Sequence, residues 1–399
     1  MKIIWVKAGK ILPVDTGGKI RSYNILRHLA REHEVTFLSY YHGEKDAQYE
    51  TELARQFPGA VPVAVPFMGG SVGQGLHYAA RVANTAPYSV TKFTSPLVST
   101  RLVQLIRDRG PDVVMCDFLA ASLNVPASVK TPTVLFQHNV ESALWERQAR
   151  YERNLVKRAV FTMEARKMYR YERATLARFD HIVAVSEHDQ SLMHEMLPTA
   201  RITVNPTGVD VAQFARPAGS TTGRRVMFLG SMDWPANIDG VEFFCADIWP
   251  AVRAGVPDAV FQVVGRNPPP RIQRLASDSV EIVGGVKSVL PHLHAASVFV
   301  VPLRIGGGTR LKIYEAMAAS LPIVSTRVGA EGLDVTTGID IVLEDEAPAF
   351  ARELIDLLRN EVRRTAIGNA ALATASRFDW SVIARQFASI LEETVSAKR

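Results

Sequence analysis

Cysteine and long apolar runs are scarce in this 399-residue sequence. Cys116 and Cys245 are the only cysteines, too few for a disulfide framework or a cysteine-based zinc site, and we expect a reducing, cytoplasmic compartment. No run of about 18 consecutive apolar residues occurs, so no segment is expected to span a bilayer. The apolar run Ile3–Val6 is too short for the core of an export signal, and it predicts a first β-strand instead.

Several catalytic motifs are absent as well. The Gly-x-Gly-x-x-Gly fingerprint of dinucleotide oxidoreductases does not occur. Gly18–Lys19 looks like the end of a Walker A loop, but Pro13 stands where that motif needs glycine and Ile20 where it needs serine or threonine. No His-x-x-x-His or Asp-x-Asp spacing is present, so we expect no dedicated divalent metal site.

What remains is the composition of a globular chain. Hydrophobic residues make up 47% of the sequence and charged residues 22%, which excludes a disordered or collagen-like protein. The length predicts roughly two or three domains. The formal net charge of +6 is mild, so its placement along the chain matters more than its size.

Short apolar runs alternate with segments of helical period in two successive series. Such runs are typical of parallel strands that are covered on both faces, which predicts an α/β fold class. Between the series, the small and polar segment 216–223 predicts a linker between two domains. The predicted strands are Ile3–Val6, Val35–Ser39, Val113–Met115, Thr133–Phe136 and Ile182–Val185, then Val226–Leu229, Val260–Val264, Val280–Val283, Val298–Val301 and Ile323–Ser325.

The strongest candidate site is a glycine loop, Gly306–Gly308, between the strand Val298–Val301 and a helix that begins near Arg310. Glycines let a backbone approach a ligand closely, and a helix N-terminus favours phosphate. Arg310 in the first turn is disfavoured by the helix dipole, and a bound diphosphate would reverse that penalty. We predict a phosphate site that uses Arg310 and Lys312. The alternative is a tight turn with a solvated Lys312–Glu315 pair.

Two weaker candidates follow strands of the first series, at the end of the sheet where ligands bind. Gly17 and Gly18 form a turn that could approach a phosphate or a transferred group, although a plain connecting turn fits as well. His138 comes shortly after Thr133–Phe136 and could donate to a reacting oxygen. A hydrogen-bonded loop histidine is its alternative.

Short motifs recur along the chain: Gly17-Gly18, His138, Ser186-Glu187, Asn205–Asp210, Phe228-Leu229-Gly230, Val264-Gly265 and Glu315–Ala318. Their order resembles that of retaining glycosyltransferases of family 4, over essentially the whole chain and most specifically over Gly306–Thr326. The resemblance implies the GT-B fold, in which two Rossmann-like parallel-sheet domains face a cleft and the second grips a nucleotide-sugar donor. The expected domains are 1–215 and 224–377, with a terminal helix, 378–399, that crosses back to the first.

The resemblance also assigns the donor site. Glu315 matches the second glutamate of the family's Glu-x7-Glu motif, which binds the donor ribose, whereas the first would fall at Gly307. The family often places an arginine and a lysine on the diphosphate, where this chain has Ser231 and Asn237. We therefore hypothesise that Arg310 and Lys312 take over the diphosphate while backbone N–H groups of Gly307 and Gly308 face the sugar. The other expected donor contacts are Gly17, Gly18, Gly230, Ser231, Gly265, Arg266, Val283, Gly306 and Thr309.

The implied reaction moves a hexose-type sugar to a hydroxyl acceptor with retention of configuration, in polysaccharide or glycoconjugate assembly. No residue suggests itself as a double-displacement nucleophile, so front-face attack is expected, with His138 in contact with the donor phosphates or sugar. Lysine and arginine can neutralise a diphosphate, so neither a metal nor a cofactor is expected. A nucleotide-sugar epimerase or phosphorylase of the same fold is an alternative.

The whole net charge is carried by one segment, 145–178, which has ten basic and four acidic residues and no glycine or proline. It predicts one long helix with interleaved aromatic residues. Such a helix could lie on an anionic membrane at the inner face, where lipid-linked acceptors occur. A solvated helix that covers the first sheet is the alternative. A nucleic-acid scaffold is a further alternative, but no recognised nucleic-acid module surrounds the segment, so no nucleic-acid partner is expected.

Overall fold

Two parallel sheets, each in a compact unit of its own, form the framework of the chain. The computed structural model describes residues 1–66, 86–152, 154–217, 223–305 and 311–398. The first unit comprises Met1–Pro206 and the chain from Ile383 onward, and the second comprises Thr207–Val382. The predicted α/β class with two Rossmann-like parallel-sheet domains is confirmed. The domain boundaries given above stay predictions.

The sheet of the first unit has seven strands in the order β3-β2-β1-β4-β5-β6-β7, and every neighbouring pair is parallel. The inner strand β1 is buried over five consecutive residues, as expected for a parallel strand covered on both faces. The strands are β1 (Lys2–Ala8), β2 (Glu34–His42), β3 (Ala60–Val65), β4 (Val113–Asp117), β5 (Thr133–Phe136), β6 (His181–Ala184) and β7 (Ile202–Val204).

The sheet of the second unit has six parallel strands in the order β10-β9-β8-β11-β12-β13. In both sheets the order reverses beside the first strand of the unit, which is where open α/β sheets bind ligands at the carboxyl ends of their strands. The strands are β8 (Arg225–Leu229), β9 (Val260–Val264), β10 (Val280–Gly284), β11 (Val298–Val301), β12 (Ile323–Ser325) and β13 (Val342–Leu343).

Sixteen α-helices are described in these parts of the chain. Those of the first half are α1 (Gly17–Glu32), α2 (Ala47–Gln56), α3 (Tyr88–Thr91), α4 (Pro96–Arg109), α5 (Glu141–Tyr151), α6 (Leu155–Leu176), α7 (Glu187–Met196) and α8 (Val211–Phe214). Those of the second half are α9 (Pro235–Phe243), α10 (Trp249–Gly255), α11 (Pro270–Gln273), α12 (Leu290–Ala295), α13 (Leu311–Ala318), α14 (Ala347–Arg359), α15 (Glu361–Arg377) and α16 (Trp380–Lys398).

The prediction of one long helix over 145–178 is wrong, because the segment forms α5 and α6 with a break between them. Glu152 is extended, and the side chain of Asn154 accepts hydrogen bonds from two backbone N–H groups of the next turn, so it starts a new helix. The carboxylate of Glu172 on α6 then accepts from the backbone N–H groups of Glu141 (2.7 Å) and Ser142 (2.9 Å). The second helix therefore caps the start of the first.

The C-terminal helix α16 packs on the first sheet through aromatic rings and one histidine. The ring of Phe387 stacks on Trp5 with a centroid separation of 5.8 Å. The ring nitrogens of His181 lie 2.7 Å from Oγ1 of Thr394 and 2.8 Å from Oγ1 of Thr203. The Thr394 hydroxyl donates to the Ile390 carbonyl, so it accepts from His181 Nδ1–H. In the neutral ring, Nε2 accepts from the Thr203 hydroxyl.

The stability of the chain should therefore depend on the protonation of His181. Burial lowers its pKa to about 4, whereas the unfolded chain binds this proton below about pH 6.5. Between these values the unfolded state holds more protons, so the free energy of unfolding should fall as the pH drops from 6.5 towards 4. We expect His181→Gln to show a shallower fall in chemical denaturation at pH 7 and pH 5. His188→Gln, at an exposed position, is the control, and equal slopes in all three proteins would contradict the assignment.

Candidate active site

A buried carboxylate, that of Asp117, joins three adjacent strands of the first unit at their carboxyl ends. Asp117 is the last residue of β4 and has no solvent exposure. Its Oδ2 accepts from Nζ of Lys7 (2.9 Å) and from the indole N–H of Trp5 (3.1 Å), both on β1. Its Oδ1 lies 2.8 Å from Nε2 of His138, just beyond β5. Burial opposes the charged carboxylate, but Lys7 and His138 outweigh it and hold the pKa of Asp117 well below its usual range.

The hydrogen bonds on both sides of His138 fix its tautomer. A carboxylate only accepts, so Nε2 carries the proton and donates it to Asp117. Nδ1 lies 3.1 Å from Nη1 of Arg21, and a guanidinium only donates, so Nδ1 is the acceptor. Burial lowers the pKa of His138 to about 3 and that of Arg21 to about 10. The imidazole is therefore neutral throughout the physiological range.

The glycine turn at the start of α1 contacts this cluster through Phe118. The Phe118 ring stacks on His138 with centroids 3.6 Å apart and planes 8° apart, and its backbone has a φ of 71°. A Cβ on Gly18 would lie 2.6 Å from the ring edge of Phe118, so this position has no room for a side chain. Gly17 is the first residue of α1. The structure thus brings the predicted residues Gly17, Gly18 and His138 together, and their contact with a donor stays a prediction.

In the second unit, Asn237 links two predicted site residues that are far apart in sequence. Its Nδ2 donates to the carbonyl of Ser231 (2.7 Å), and its Oδ1 accepts from Nζ of Lys312 (2.9 Å). The same Nζ lies 4.5 Å from the ring centroid of Phe228, near the end of β8. Lys312 is therefore held at the carboxyl end of the central strand, close to the residue that follows Gly230.

The loops after β8 and β9 meet in a polar cluster. Nε of Arg266 donates to Ser231 Oγ and to Asp233 Oδ2, both at 3.1 Å, and Ser231 Oγ donates to Asp233 at 2.7 Å. A Cβ on Gly265 would lie 1.8 Å from the carbonyl oxygen of Gly230, so the two backbones can approach only because this residue is glycine. Asp233 was not among the predicted site residues, since a lone aspartate after a strand looks like an ordinary turn residue.

Glu315 and Val283 complete the predicted set in the described residues. Burial raises the pKa of Glu315 to about 7, against a smaller lowering by Lys312 one turn earlier on α13. Val283 is the penultimate residue of β10, and the backbone N–H of Gly265 donates to the carbonyl of its neighbour Gly284 (2.9 Å). The remaining predicted residues, Gly306, Gly307, Gly308, Thr309 and Arg310, lie outside the described residues.

Arg304, two residues before Gly306, is anchored by a neighbouring helix. Arg304 donates from Nε and Nη2 to the two carboxylate oxygens of Asp239 (3.1 and 2.7 Å) and lies over the ring of Phe243. The residues that the structure describes contain no group of three or more His, Cys, Asp or Glu side chains placed to hold a metal ion, and no helix with the length and apolarity to cross a membrane.

Comparison with known proteins identifies the family. The family model described as "Glycosyltransferase Family 4" matches residues 16–213. A second family model, described as "Glycosyl transferases group 1", matches residues 223–360. The chain belongs to glycosyltransferase family 4. The two matches fall on the two sheets, so both halves of the predicted resemblance are confirmed.

Relatives and solved structures agree with this family. A phosphatidyl-myo-inositol mannosyltransferase of Mycolicibacterium smegmatis is 29% identical over 225 residues, which cover 54% of this chain and 57% of the relative. Sucrose-phosphate synthase from Thermosynechococcus elongatus has a TM-score of 0.69 at 15% identity, with both chains fully covered. The Anabaena protein HepE in complex with UDP has a TM-score of 0.65 at 15% identity and covers 98% of this chain and 100% of its own. These structural matches establish the GT-B fold for this family 4 chain.

The close approach of Gly265 to Gly230 should make this position intolerant of any side chain. We expect Gly265→Ala to lower the free energy of unfolding by about 1–3 kcal/mol, because the new Cβ forces the two loops apart. Gly285→Ala is the matched control, since its Cβ would lie 3.4 Å from the nearest atom. Chemical denaturation of the three proteins checks this, and equal stability of Gly265→Ala and wild type would contradict it.

Proposed function

We propose that this chain is a retaining glycosyltransferase that moves a hexose-type sugar from a nucleotide-sugar donor to a hydroxyl acceptor in polysaccharide or glycoconjugate biosynthesis. The observation that carries the proposal is the placement of Lys312. The hydrogen bond to Asn237 holds this cation at the carboxyl end of β8, beside the loop that follows Gly230. Family membership supports the reaction class, and the mannosyltransferase relative and the UDP complex of HepE support a sugar nucleotide as the donor.

In this proposal the second unit holds the donor. Lys312 and Arg310 neutralise the diphosphate without a metal, and charge-assisted hydrogen bonds to a leaving group are large contributions to catalysis. Glu315 accepts from the ribose hydroxyls, and because burial raises its pKa to about 7, hydrogen-bond donors would stabilise its carboxylate form. Ser231, Gly265 and Arg266, which lie together, frame the diphosphate and base. The departing phosphate oxygen accepts the acceptor's proton.

Donor binding is the direct test of this assignment. We expect one nucleoside diphosphate sugar from a panel of UDP, GDP and ADP sugars to raise the melting temperature, because a ligand that binds the folded state stabilises it. Lys312→Ala should weaken that donor about tenfold or more, since a charged hydrogen bond is worth ~1.5–3 kcal/mol. Arg352→Ala, on the exposed side of α14, is the control. A panel with no stabilising member, or full affinity in Lys312→Ala, would contradict the proposal.

For the acceptor, the proposal is that α6 contacts an anionic membrane in which a lipid-linked acceptor lies. The two acids of this helix are turned inward: Glu172 caps α5, and Glu164 accepts from the backbone N–H of Tyr88 (3.2 Å). Every exposed charge on α6 is consequently positive. Leu155 and Val156 at its start are 69% and 74% exposed, which is unusual for large apolar side chains. The exposed basic residues of α6 are Lys157, Arg158, Arg166, Arg170 and Arg173.

This face has the chemistry of a helix that lies in a bilayer interface. Basic side chains meet anionic headgroups, at about 1 kcal/mol each, while apolar side chains enter the acyl boundary. Arg158, Arg166 and Arg170 line a shallow groove together with Leu155 and Met163, so the charged and apolar groups share one surface. A membrane-bound position would bring the chain to lipid-linked acceptors. The mannosyltransferase relative, whose name specifies a phosphatidyl-myo-inositol acceptor, supports this choice.

Vesicle flotation tests the membrane surface. The chain should float with vesicles that contain anionic phosphatidylglycerol at physiological salt, and not with pure phosphatidylcholine. Arg166→Glu/Arg170→Glu should lower binding at least tenfold, because each reversal turns an attraction into a repulsion. Arg107→Glu/Arg109→Glu makes the same charge change on α4 and should bind as wild type does. Absence of flotation, or equal loss in both double variants, would contradict the proposal.

A further inference from the structure

Both nitrogens of the His138 ring are already engaged inside the protein. Nε2–H donates to Asp117, Nδ1 accepts from Arg21, and one ring face is covered by Phe118 at 3.6 Å. The residue is only 2% exposed. A histidine that exchanges protons with a substrate needs one nitrogen within reach of the reacting oxygen. His138 does not offer one in this arrangement.

The hydrogen bonds of Asp117 continue into α1 along two routes. The first runs through His138 to Arg21, one turn into the helix. The second runs through Lys7, whose Nζ also donates to Ser22 Oγ (3.0 Å), and Ser22 donates in turn to the carbonyl of Gly18 (3.0 Å). Both routes end in the first turns of α1, directly behind the glycine turn.

We infer that Asp117 and His138 are positioning residues, which hold the Gly17–Gly18 turn and Arg21 in the geometry that sugar transfer requires, and that His138 transfers no proton. The inference rests on the proposed function, because it assigns the turn a place in that reaction. We call the hydrogen-bonded residues Asp117, His138, Lys7, Arg21 and Ser22 the relay. Because residues on or next to three strands of the sheet belong to it, the relay holds the turn rigidly against the sheet.

The charges around His138 keep it in this role over a wide pH range. Lys7 on β1 and Arg21 on α1 disfavour a second proton on the ring, and Asp117 on β4 favours it. Asp189, at the start of α7, acts on Arg21 rather than on the ring. Burial adds to the two cations and is the largest effect, so the neutral ring persists well below pH 6.

The relay can be tested without any catalytic assay. In hydrogen–deuterium exchange, Asp117→Asn should speed the exchange of the backbone amides of residues 17–22. Asparagine has an NH₂ donor in place of one carboxylate oxygen, so one hydrogen bond of the relay is lost. His138→Gln should change it little, since an amide still offers one donor and one acceptor. Asp108→Asn, on the exposed surface of α4, is the control. Unchanged exchange of residues 17–22 in Asp117→Asn would overturn the relay.

Kinetics then separates positioning from proton transfer. With the donor found by thermal shift, His138→Gln should keep turnover within about tenfold of wild type, whereas His138→Ala should lose about a hundredfold in kcat with little change in nucleotide affinity. The pH profile of kcat should have no limb between pH 6 and 7 that depends on His138. Equal loss in the Gln and Ala variants, or such a limb in wild type that His138→Gln removes, would overturn the inference. If no donor binds wild type, the proposed function fails, while the exchange experiment still decides on the relay.

Discussion

The buried carboxylate of Asp117 is the interaction on which the first unit depends. An isolated buried charge is costly, and it persists only where close partners compensate it. Here Lys7 supplies the opposite charge, while Trp5 and His138 fill the remaining hydrogen-bonding positions. These partners come from β1 and from the end of β5, so one carboxylate aligns three strands at the edge where a ligand would bind. Its acceptor character also decides which nitrogen of His138 carries the proton, and through Arg21 it determines how α1 begins.

The second unit also holds polar groups at the carboxyl end of an inner strand, but without a buried carboxylate at their centre. Its central strand ends beside a backbone contact that only Gly265 permits, and the space gained is occupied by polar groups of neighbouring loops. Asn237 is the counterpart of Asp117, since one neutral amide bridges the Ser231 carbonyl and the Lys312 ammonium. The amide of Asn237 places no negative charge beside Lys312 at this contact, which is consistent with the proposed anionic diphosphate. In the first unit, the two acids of α6 are buried, so the exposed charges of this helix are all positive.

Sequence patterns predicted the parts of the fold that depend on apolar periodicity. The strands that carry the candidate site, such as Val226–Leu229, were found within a residue or two because buried parallel strands are continuous apolar runs. Ala60–Val65, Ile202–Val204 and Val342–Leu343 were missed, since edge strands are short or half-buried. The break after Tyr151 could not be predicted because Asn154 starts the new helix without a glycine or proline. Asp117 and Asp233 were missed for a related reason: their significance lies in partners distant in sequence, and local spacing says nothing about them.

Asp117 and Arg21 hold His138 as a neutral imidazole with its proton on Nε2. Long-range ¹H–¹⁵N correlation spectra of the full chain labelled with ¹⁵N-histidine measure this state directly. We expect the His138 ring to show the Nε2–H tautomer and no titration between pH 8 and pH 5, and we expect Asp117→Asn to lose that signature. A His138 ring that titrates near pH 6.5, or that carries its proton on Nδ1, would contradict this assignment.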